Sequence, residues 1–170
     1  PAIIVRSVYK IFGKHPASIH RKLEAGVSKS DILKTHEHIV ALRDVSFEVS
    51  RGEIFVIMGL SGSGKSTLVR HLNRLIEPTA GEILIDGRSV LDASVSELLE
   101  LRRHRVSMVF QRFGLLPHKT VLENVAYGLE IAGVRREESR DRAIQQINLV
   151  GLAGFESRYP RQLSGGMQQR

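Results

Sequence analysis

The chain contains no cysteine and no tryptophan, and aromatic residues make up only 5% of its 170 positions. The lack of cysteine excludes a disulfide-stapled fold and a thiolate metal site. No apolar run approaches the roughly 20 residues that a transmembrane helix requires. What is present, 42% hydrophobic and 25% charged residues, is typical of an ordinary globular chain with a sizeable core.

Positive charge is in excess, with a formal net charge of +7 at pH 7. Such an excess would suit a protein that binds nucleic acid. However, the basic residues are scattered, and the two small clusters at 102–105 and 135–136 are not interleaved with aromatic side chains that could stack on bases. We therefore interpret most of the charge as a solvated surface.

Strand-like and helix-like patterns alternate along the chain, which predicts an α/β fold. Strand patterns cover 3–11, 40–49 and 82–87, whereas the apolar runs EIFVIM (53–58) and VSMVF (106–110) are typical of buried central strands. Helices are predicted over 65–76, from the capping boxes SVSE (94–97) and TVLE (120–123), and over 136–150. Residues 14–39 separate two strands that could otherwise pair directly, and they predict a short helical hairpin.

The segment GLSGSGKS, residues 59–66, matches the phosphate-loop pattern at every fixed place, between an apolar run and a helix pattern. Its glycines let backbone N–H groups converge on anionic oxygens, and the helix N-terminus adds partial positive charge. Lys65 would reach the β- and γ-phosphates of a nucleotide, and Ser66 would offer its hydroxyl to Mg²⁺. The predicted nucleotide-binding residues here are Gly59, Leu60, Ser61, Gly62, Ser63, Gly64, Lys65, Ser66 and Thr67.

Two further stretches narrow the class of nucleotide-binding protein. Gln111 follows the apolar run 106–110, where its carbonyl oxygen could ligate Mg²⁺ and orient a water molecule. In LSGGMQQR (163–170), Ser164 is a good N-cap, and Gly165 and Gly166 leave the first N–H groups of a helix uncovered. Because the phosphate loop already surrounds its own phosphates, this second anion site favours contact with the nucleotide of another molecule.

GLSGSGKST, FQ at 110–111 and LSGGMQQR, in this order, resemble the ATP-binding subunit of ABC transporters over essentially the whole chain. The stretches YKIFGKHP (9–16), 54–87 and 109–134 are most similar to importers of glycine betaine and proline. The resemblance implies an α/β P-loop NTPase of the ABC ATPase type, with a parallel core sheet and flanking helices, an antiparallel β subdomain and a helical subdomain. It also implies that residues 1–170 are a partial nucleotide-binding domain, with 14–39 as a helical insertion and about 112–170 as the helical subdomain and signature motif.

The resemblance further implies ATP and Mg²⁺ as cofactors and a homodimer in which Ser164, Gly165 and Gly166 meet the γ-phosphate held by the partner's phosphate loop. Phe12 is the best match for the aromatic residue that stacks on adenine, with Tyr9 as the alternative, and Ser66 and Gln111 are the implied Mg²⁺ ligands. The implied partners are integral membrane permease subunits and, indirectly, a periplasmic or extracellular solute-binding protein. The implied location is the cytoplasmic face of a bacterial or archaeal membrane.

Family members continue beyond the signature helix with a catalytic glutamate and a switch histidine, so we expect the chain to be an N-terminal fragment truncated after the signature motif. The full-length protein would be an ATP hydrolase, and the fragment alone would be inactive. Two alternatives remain open: an importer ATPase for another small solute such as an amino acid, and a non-transport ABC ATPase acting on nucleic acid. The 52 residues from Gln111 to Leu163 leave room for a compact helical subdomain but show no heptad repeat of a long coiled coil.

Overall fold

The computed structural model describes residues 1–28, 31–32, 38–110 and 114–170, and the chain divides into two compact units, Pro1–Leu99 and Glu100–Arg170. The first unit contains β1 (Ile3–Phe12), α1 (Pro16–Glu24), β2 (Ile39–Val49), α2 (Lys65–Leu72), β3 (Ala80–Ile85) and β4 (Arg88–Ser89). Helix α3 (Val95–His104) crosses the boundary. The second unit contains α4 (Val121–Ile131), α5 (Arg136–Leu149), a short 3₁₀ helix (Pro160–Gln162) and α6 (Gly165–Gln169).

The four strands of the first unit form one antiparallel sheet in the order β2-β1-β3-β4. β1 and β2, the strands on either side of the 14–39 segment, pair with each other along most of their length. On the central strand, Val5 and Val8 are buried, as is Ile83 on β3. Their burial gives the sheet an apolar face, which is the main source of its stability.

The register of β1 against β2 shifts at three places. Val5 is paired with Phe47 and Val8 with Val45, so β1 holds one extra residue there; Ser7, with φ at +45°, lies in this stretch and donates its backbone N–H to the Ser46 hydroxyl. The second shift includes Asp44, which also has a positive φ, and the third lies between Lys10 and Ile11. A bulge reverses which residues face inward, so the inward positions are even-numbered before Asp44 and odd-numbered after it.

The 14–39 segment begins with α1, whose Ile19 and Leu23 pack with Ile11, Ile32 and Val40 in one buried cluster. Further along the segment, the Ser28 hydroxyl accepts the backbone N–H of Asp31 at 3.1 Å. The described part of the segment therefore packs against the end of β1.

The structure contradicts the predicted burial of the apolar runs 53–58 and 106–110. Among the described residues, neither run is assigned to a strand, and Ile54, Met58 and Val109 are 90%, 86% and 97% exposed. A buried parallel strand needs hydrogen-bonded neighbours and covering helices, and no described strand pairs with either run. Phe55 of the first run stacks on Phe47 of β2, with ring centroids 4.8 Å apart.

The helix starts lie where the sequence predicts them when a side-chain cap determines the start. Ser94 and Glu97 bond reciprocally at the start of α3, and Thr120 and Glu123 do so at the start of α4, as predicted. These bonds lower the pKa of both glutamates; the Ser94 hydroxyl acts most strongly on Glu97, and the Thr120 backbone N–H on Glu123. The predicted end of the phosphate-loop helix at residue 76 is wrong, because α2 stops at Leu72 and Arg74 has φ at +51°.

The second unit is helical. α4 and α5 pack together around Val121, Ile147 and Leu152. Leu163 and Met167 also pack against this cluster, so the segment that contains α6 is attached to the helical core through apolar side chains. Gln168 strengthens this attachment by donating its side-chain amide to the carbonyl oxygens of Pro160 and Leu163.

Candidate nucleotide-binding site

The phosphate loop, residues 59–64, runs directly into the first turn of α2. Gly62 and Gly64 have φ angles of +77° and +95°, which L side chains rarely adopt. A Cβ atom added at Gly64 would lie 2.5 Å from the carbonyl oxygen of Ala41. Position 64 therefore requires glycine for two reasons: the backbone conformation, and the close approach of the loop to β2.

Lys65 is directed back across the loop. Its ammonium donates to the carbonyl oxygens of Gly59 at 2.7 Å and Leu60 at 2.8 Å, and it lies 3.4 Å from the Ser63 hydroxyl. The side chain thus places a positive charge at the loop, where a bound phosphate would meet both the ammonium and the backbone N–H groups.

The start of α2 is left electropositive. Its N-cap, Gly64, provides no side-chain acceptor, and no acidic residue lies in the first turn. α3, α4 and α5 each carry at least one glutamate there. With neither a cap nor a carboxylate, the first N–H groups of α2 and its dipole remain available to an anion, and exposed Ser66 adds a hard oxygen donor of the kind Mg²⁺ accepts. The residues present therefore fit a nucleotide phosphate with its metal ion.

The opposite face of α2 is anchored in the first unit by Leu68 and His71, both buried. Nδ1 of His71 lies 2.5 Å from the carbonyl oxygen of Thr67, one turn earlier, so this nitrogen carries the proton. Burial lowers the pKa of His71, and the charge of Lys10 acts in the same direction. Nε2 is buried with no hydrogen-bond partner among the described residues. The histidine is therefore held neutral, in an orientation fixed by the helix backbone.

The two candidate adenine-stacking residues lie in different surroundings. Phe12, the last residue of β1, has 41% of its surface exposed. Tyr9 packs against the α1 cluster and meets the His20 ring edge-on, with ring centroids 4.4 Å apart. Of the two rings, that of Phe12 is the more available to a ligand.

The signature residues lie in the second unit, at the start of α6. Ser164 is the N-cap and its hydroxyl accepts the backbone N–H of Met167 at 3.3 Å, as the sequence predicts. A Cβ atom at Gly165 or Gly166 would meet nothing within 4 Å. The surface around this turn is consequently open.

Gln111 lies outside the described residues, so its predicted role stays a prediction. Sequence reasoning missed Asn124, which orders the loop before α4: its side-chain oxygen accepts the Leu116 N–H at 2.7 Å, and its amide donates to the carbonyl oxygens of Leu116, Lys119 and Thr120. The position of this asparagine in the first turn of a helix, directly after a loop, could have predicted its hydrogen bonds to the loop backbone.

Within the part of the chain that the structure describes, no group of three or more His, Asp or Glu side chains is placed to hold a metal ion. No helix of that part is both long and apolar enough to cross a membrane.

The chain contains a phosphate loop that runs into a helix, an antiparallel sheet and a helical unit, and this combination places it among nucleotide-binding P-loop proteins. The family described as ABC transporter matches residues 42–170, and the chain belongs to that family. It is 56% identical over 168 residues to the glycine betaine transport ATP-binding protein OpuAA of Bacillus subtilis, covering 99% of this chain and 40% of that protein. It is 55% identical over 170 residues to the trimethylamine N-oxide transport system ATP-binding protein TmoW of Ruegeria pomeroyi, covering all of this chain and 50% of that protein.

Among solved structures, the chain is similar to the ATP-binding cassette MJ0796, a dimer in a post-hydrolysis state bound to ADP and Pi. The TM-score is 0.79 at 34% sequence identity, over 98% of this chain and 65% of that one. The α/β fold of the ABC ATPase type is thereby confirmed. The chain spans about 40–50% of the length of these two curated relatives.

Proposed function

We propose that the whole protein to which this chain belongs binds ATP and hydrolyses it as a dimer to power import of glycine betaine/proline-type osmolytes through a membrane permease. The observation that carries the proposal is the phosphate loop, in which Lys65 lies across the carbonyl oxygens of Gly59 and Leu60 at an uncapped helix start. The similarity to OpuAA over 99% of the chain supports the osmolyte class.

In this proposal, residues 59–67 hold the phosphates through backbone N–H groups, with Lys65 on the β- and γ-phosphates. Ser66 and Gln111 would hold Mg²⁺, which would supply positive charge next to the phosphates when bound. Phe12 stacks on the adenine ring, since its ring is the more exposed of the two candidates. Hydrolysis then depends mainly on positioning and electrostatic stabilisation.

The second anion site acts on a partner copy. Ser164, Gly165 and Gly166 contact the γ-phosphate bound by the other subunit, so ATP closes the dimer and hydrolysis reopens it. The dimeric state of the similar cassette bound to ADP and Pi supports this arrangement. We further propose that the helical unit of about 112–170 receives the permease at the cytoplasmic face of the membrane, and that a solute-binding protein delivers the osmolyte.

Lys65→Ala in the full-length protein tests the nucleotide site. We expect ATP affinity, measured by calorimetry, to fall at least tenfold, because the variant loses a charge-assisted contact to phosphate worth about 1.5–3 kcal/mol. Arg140→Ala is the matched control, since it removes one positive charge from an exposed position of α5. Undiminished ATP binding by Lys65→Ala would refute the phosphate-loop assignment.

The solute class needs a separate assay. Full-length protein reconstituted with its permease in vesicles should take up labelled glycine betaine when ATP is supplied, and the uptake should fail with Lys65→Ala. Trimethylamine N-oxide and an amino acid are the competitors to include, because TmoW is similar over the whole chain and an amino-acid importer is the open alternative. Uptake of the amino acid instead of glycine betaine would replace the osmolyte with that solute and leave the ATPase assignment intact.

A further inference from the structure

One charged side chain beside the candidate adenine site has no role in the function proposed above. Lys10 precedes Phe12 by two residues on β1. The Lys10 ammonium lies over the Phe12 ring, 5.0 Å from its centroid, within the range of a cation–π contact. Because 41% of the Phe12 surface is exposed, part of the ring stays accessible to a ligand beside this cation.

The ammonium is itself held in place. It donates to the carbonyl oxygen of Glu77 at 2.7 Å, in the segment that follows α2. The carboxylate of Glu77 accepts two bonds from Arg74, at 2.9 and 3.1 Å, and the guanidinium of Arg74 also donates to the carbonyl oxygen of Ala93 at 2.8 Å. The Lys10 ammonium is therefore fixed by the Glu77 carbonyl group, and Glu77 is in turn held by Arg74.

The same segment also holds the end of β1. The Thr79 hydroxyl accepts the Ile11 backbone N–H at 3.0 Å, and the Thr79 N–H donates to the carbonyl oxygen of Tyr9 at 2.8 Å. The strand end that carries Phe12 is thus tied to the segment emerging from α2, the helix that begins at the phosphate loop. The two candidate contacts to a nucleotide, the ring and the loop, are fixed to one another through residues 77–79.

We propose that Lys10 is a positioning residue for the purine base: its ammonium, fixed by the Glu77 carbonyl, holds the Phe12 ring in the orientation that stacks on adenine. The inference rests on the proposed function, in which Phe12 contacts the base. A ring that is ordered before the ligand arrives loses less conformational freedom on binding, so the lysine improves affinity for the base and leaves the phosphates unaffected.

Full-length Lys10→Met tests this, because methionine keeps an unbranched apolar side chain of similar length and removes the cation. Two ligands are compared by calorimetry in the presence of Mg²⁺: ATP, and inorganic tripolyphosphate, which has no base. We expect ATP affinity to fall about three- to tenfold, tripolyphosphate affinity to stay at the wild-type value, and Lys10→Arg to restore ATP binding. Unchanged ATP affinity would overturn the proposal, as would an equal loss for both ligands, which would indicate a structural effect on the loop.

Phe12→Leu separates this inference from the function on which it rests. With the ring removed, Lys10→Met should add no further loss of ATP affinity, so the two substitutions are not additive. Wild-type ATP affinity in Phe12→Leu would overturn the adenine contact and this inference with it. A wild-type protein that binds neither ligand would refute the nucleotide site itself, whereas an additive double variant would overturn only the role of Lys10.

Discussion

The helices α2 and α6 both begin next to glycines, but only one of them has a side-chain cap for its first N–H groups. α2 begins after Gly64 with no side-chain cap, whereas Ser164 caps α6 by accepting the Met167 N–H. α2 is anchored by two buried residues, but no residue of α6 is buried. Neither helix has an acidic residue in its first turn.

The N–H donors at the start of α2 need a bound anion to be satisfied, whereas the capped donor at the start of α6 does not. At α2 the donors are unsatisfied until an anion binds, and the strained glycines persist because the loop is held against β2. At α6 the serine satisfies one donor in the absence of any ligand, so the turn forms first and can present its surface to a partner. A glycine-to-alanine change should therefore reduce the free energy of unfolding strongly at the start of α2 and little at the start of α6.

The largest effect is expected from Gly64→Ala. The added Cβ would meet the Ala41 carbonyl oxygen and the Leu42 side chain at a φ of +95°. Backbone strain and overlap together should reduce the free energy of unfolding by about 2–4 kcal/mol, and ATP affinity should fall at least tenfold. Urea unfolding and calorimetry of the full-length protein measure both quantities.

Two alanine variants serve as controls for Gly64→Ala. Gly62→Ala has the positive φ but open space around it, so only the conformational cost of about 1–2 kcal/mol should appear. Gly165→Ala, with open space and no positive φ, should stay within about 0.5 kcal/mol of the wild type. Equal losses of unfolding free energy in Gly64→Ala and Gly165→Ala would contradict the distinction between the starts of α2 and α6.

A smaller effect on stability, but a specific one on assembly, is expected at Ser164. Ser164→Ala removes the cap and should reduce the free energy of unfolding by about 1 kcal/mol. Ser164→Asp retains an acceptor for the Met167 N–H and should keep that stability, yet its charge would repel the γ-phosphate of a partner's ATP. Light scattering of full-length protein with ATP should show that the aspartate variant fails to dimerise. Normal ATP-driven dimerisation by this variant would contradict the proposed contact in trans.

The different anchoring of α2 and α6 also predicts that stability depends on pH through His71. Burial lowers the pKa of His71 below the ordinary histidine value of about 6.5, so the unfolded chain binds more protons than the folded one between the folded pKa and about 6.5. The stability that neutral His71 provides is complete above 6.5 and is lost as the pH falls towards the folded pKa. Urea unfolding at a series of pH values should show this decline.

His71→Gln, which stays neutral and can still donate to the Thr67 carbonyl, should remove that part of the decline. His104→Gln is the matched control, because His104 is exposed on α3 and pairs with Glu100. A pH dependence that is unchanged by His71→Gln would show that burial of this ring does not contribute to acid sensitivity.

Much of the fold could be predicted where short-range chemistry decides it. The starts of α3, α4 and α6 follow from Ser94, Thr120 and Ser164, because an N-cap needs only a hydroxyl and the next few N–H groups. The end of α2 could not be predicted in this way. Its apolar pattern continues to Ile76, but Arg74 adopts a left-handed conformation in which its guanidinium reaches the Val90 and Ala93 carbonyl oxygens.

The sequence by itself determined the family and the phosphate loop, since a fixed order of glycines, lysine and serine suffices to build an anion site at a helix start. Only the tertiary structure decided that Gly64 rests against Ala41, that His71 is buried, and that Lys10 lies over Phe12 and reaches Glu77. It also decided that the runs 53–58 and 106–110 are exposed where their apolar pattern predicts burial. The reason is physical: caps and loops depend on neighbours within a few residues, whereas burial and strand pairing depend on groups distant in sequence.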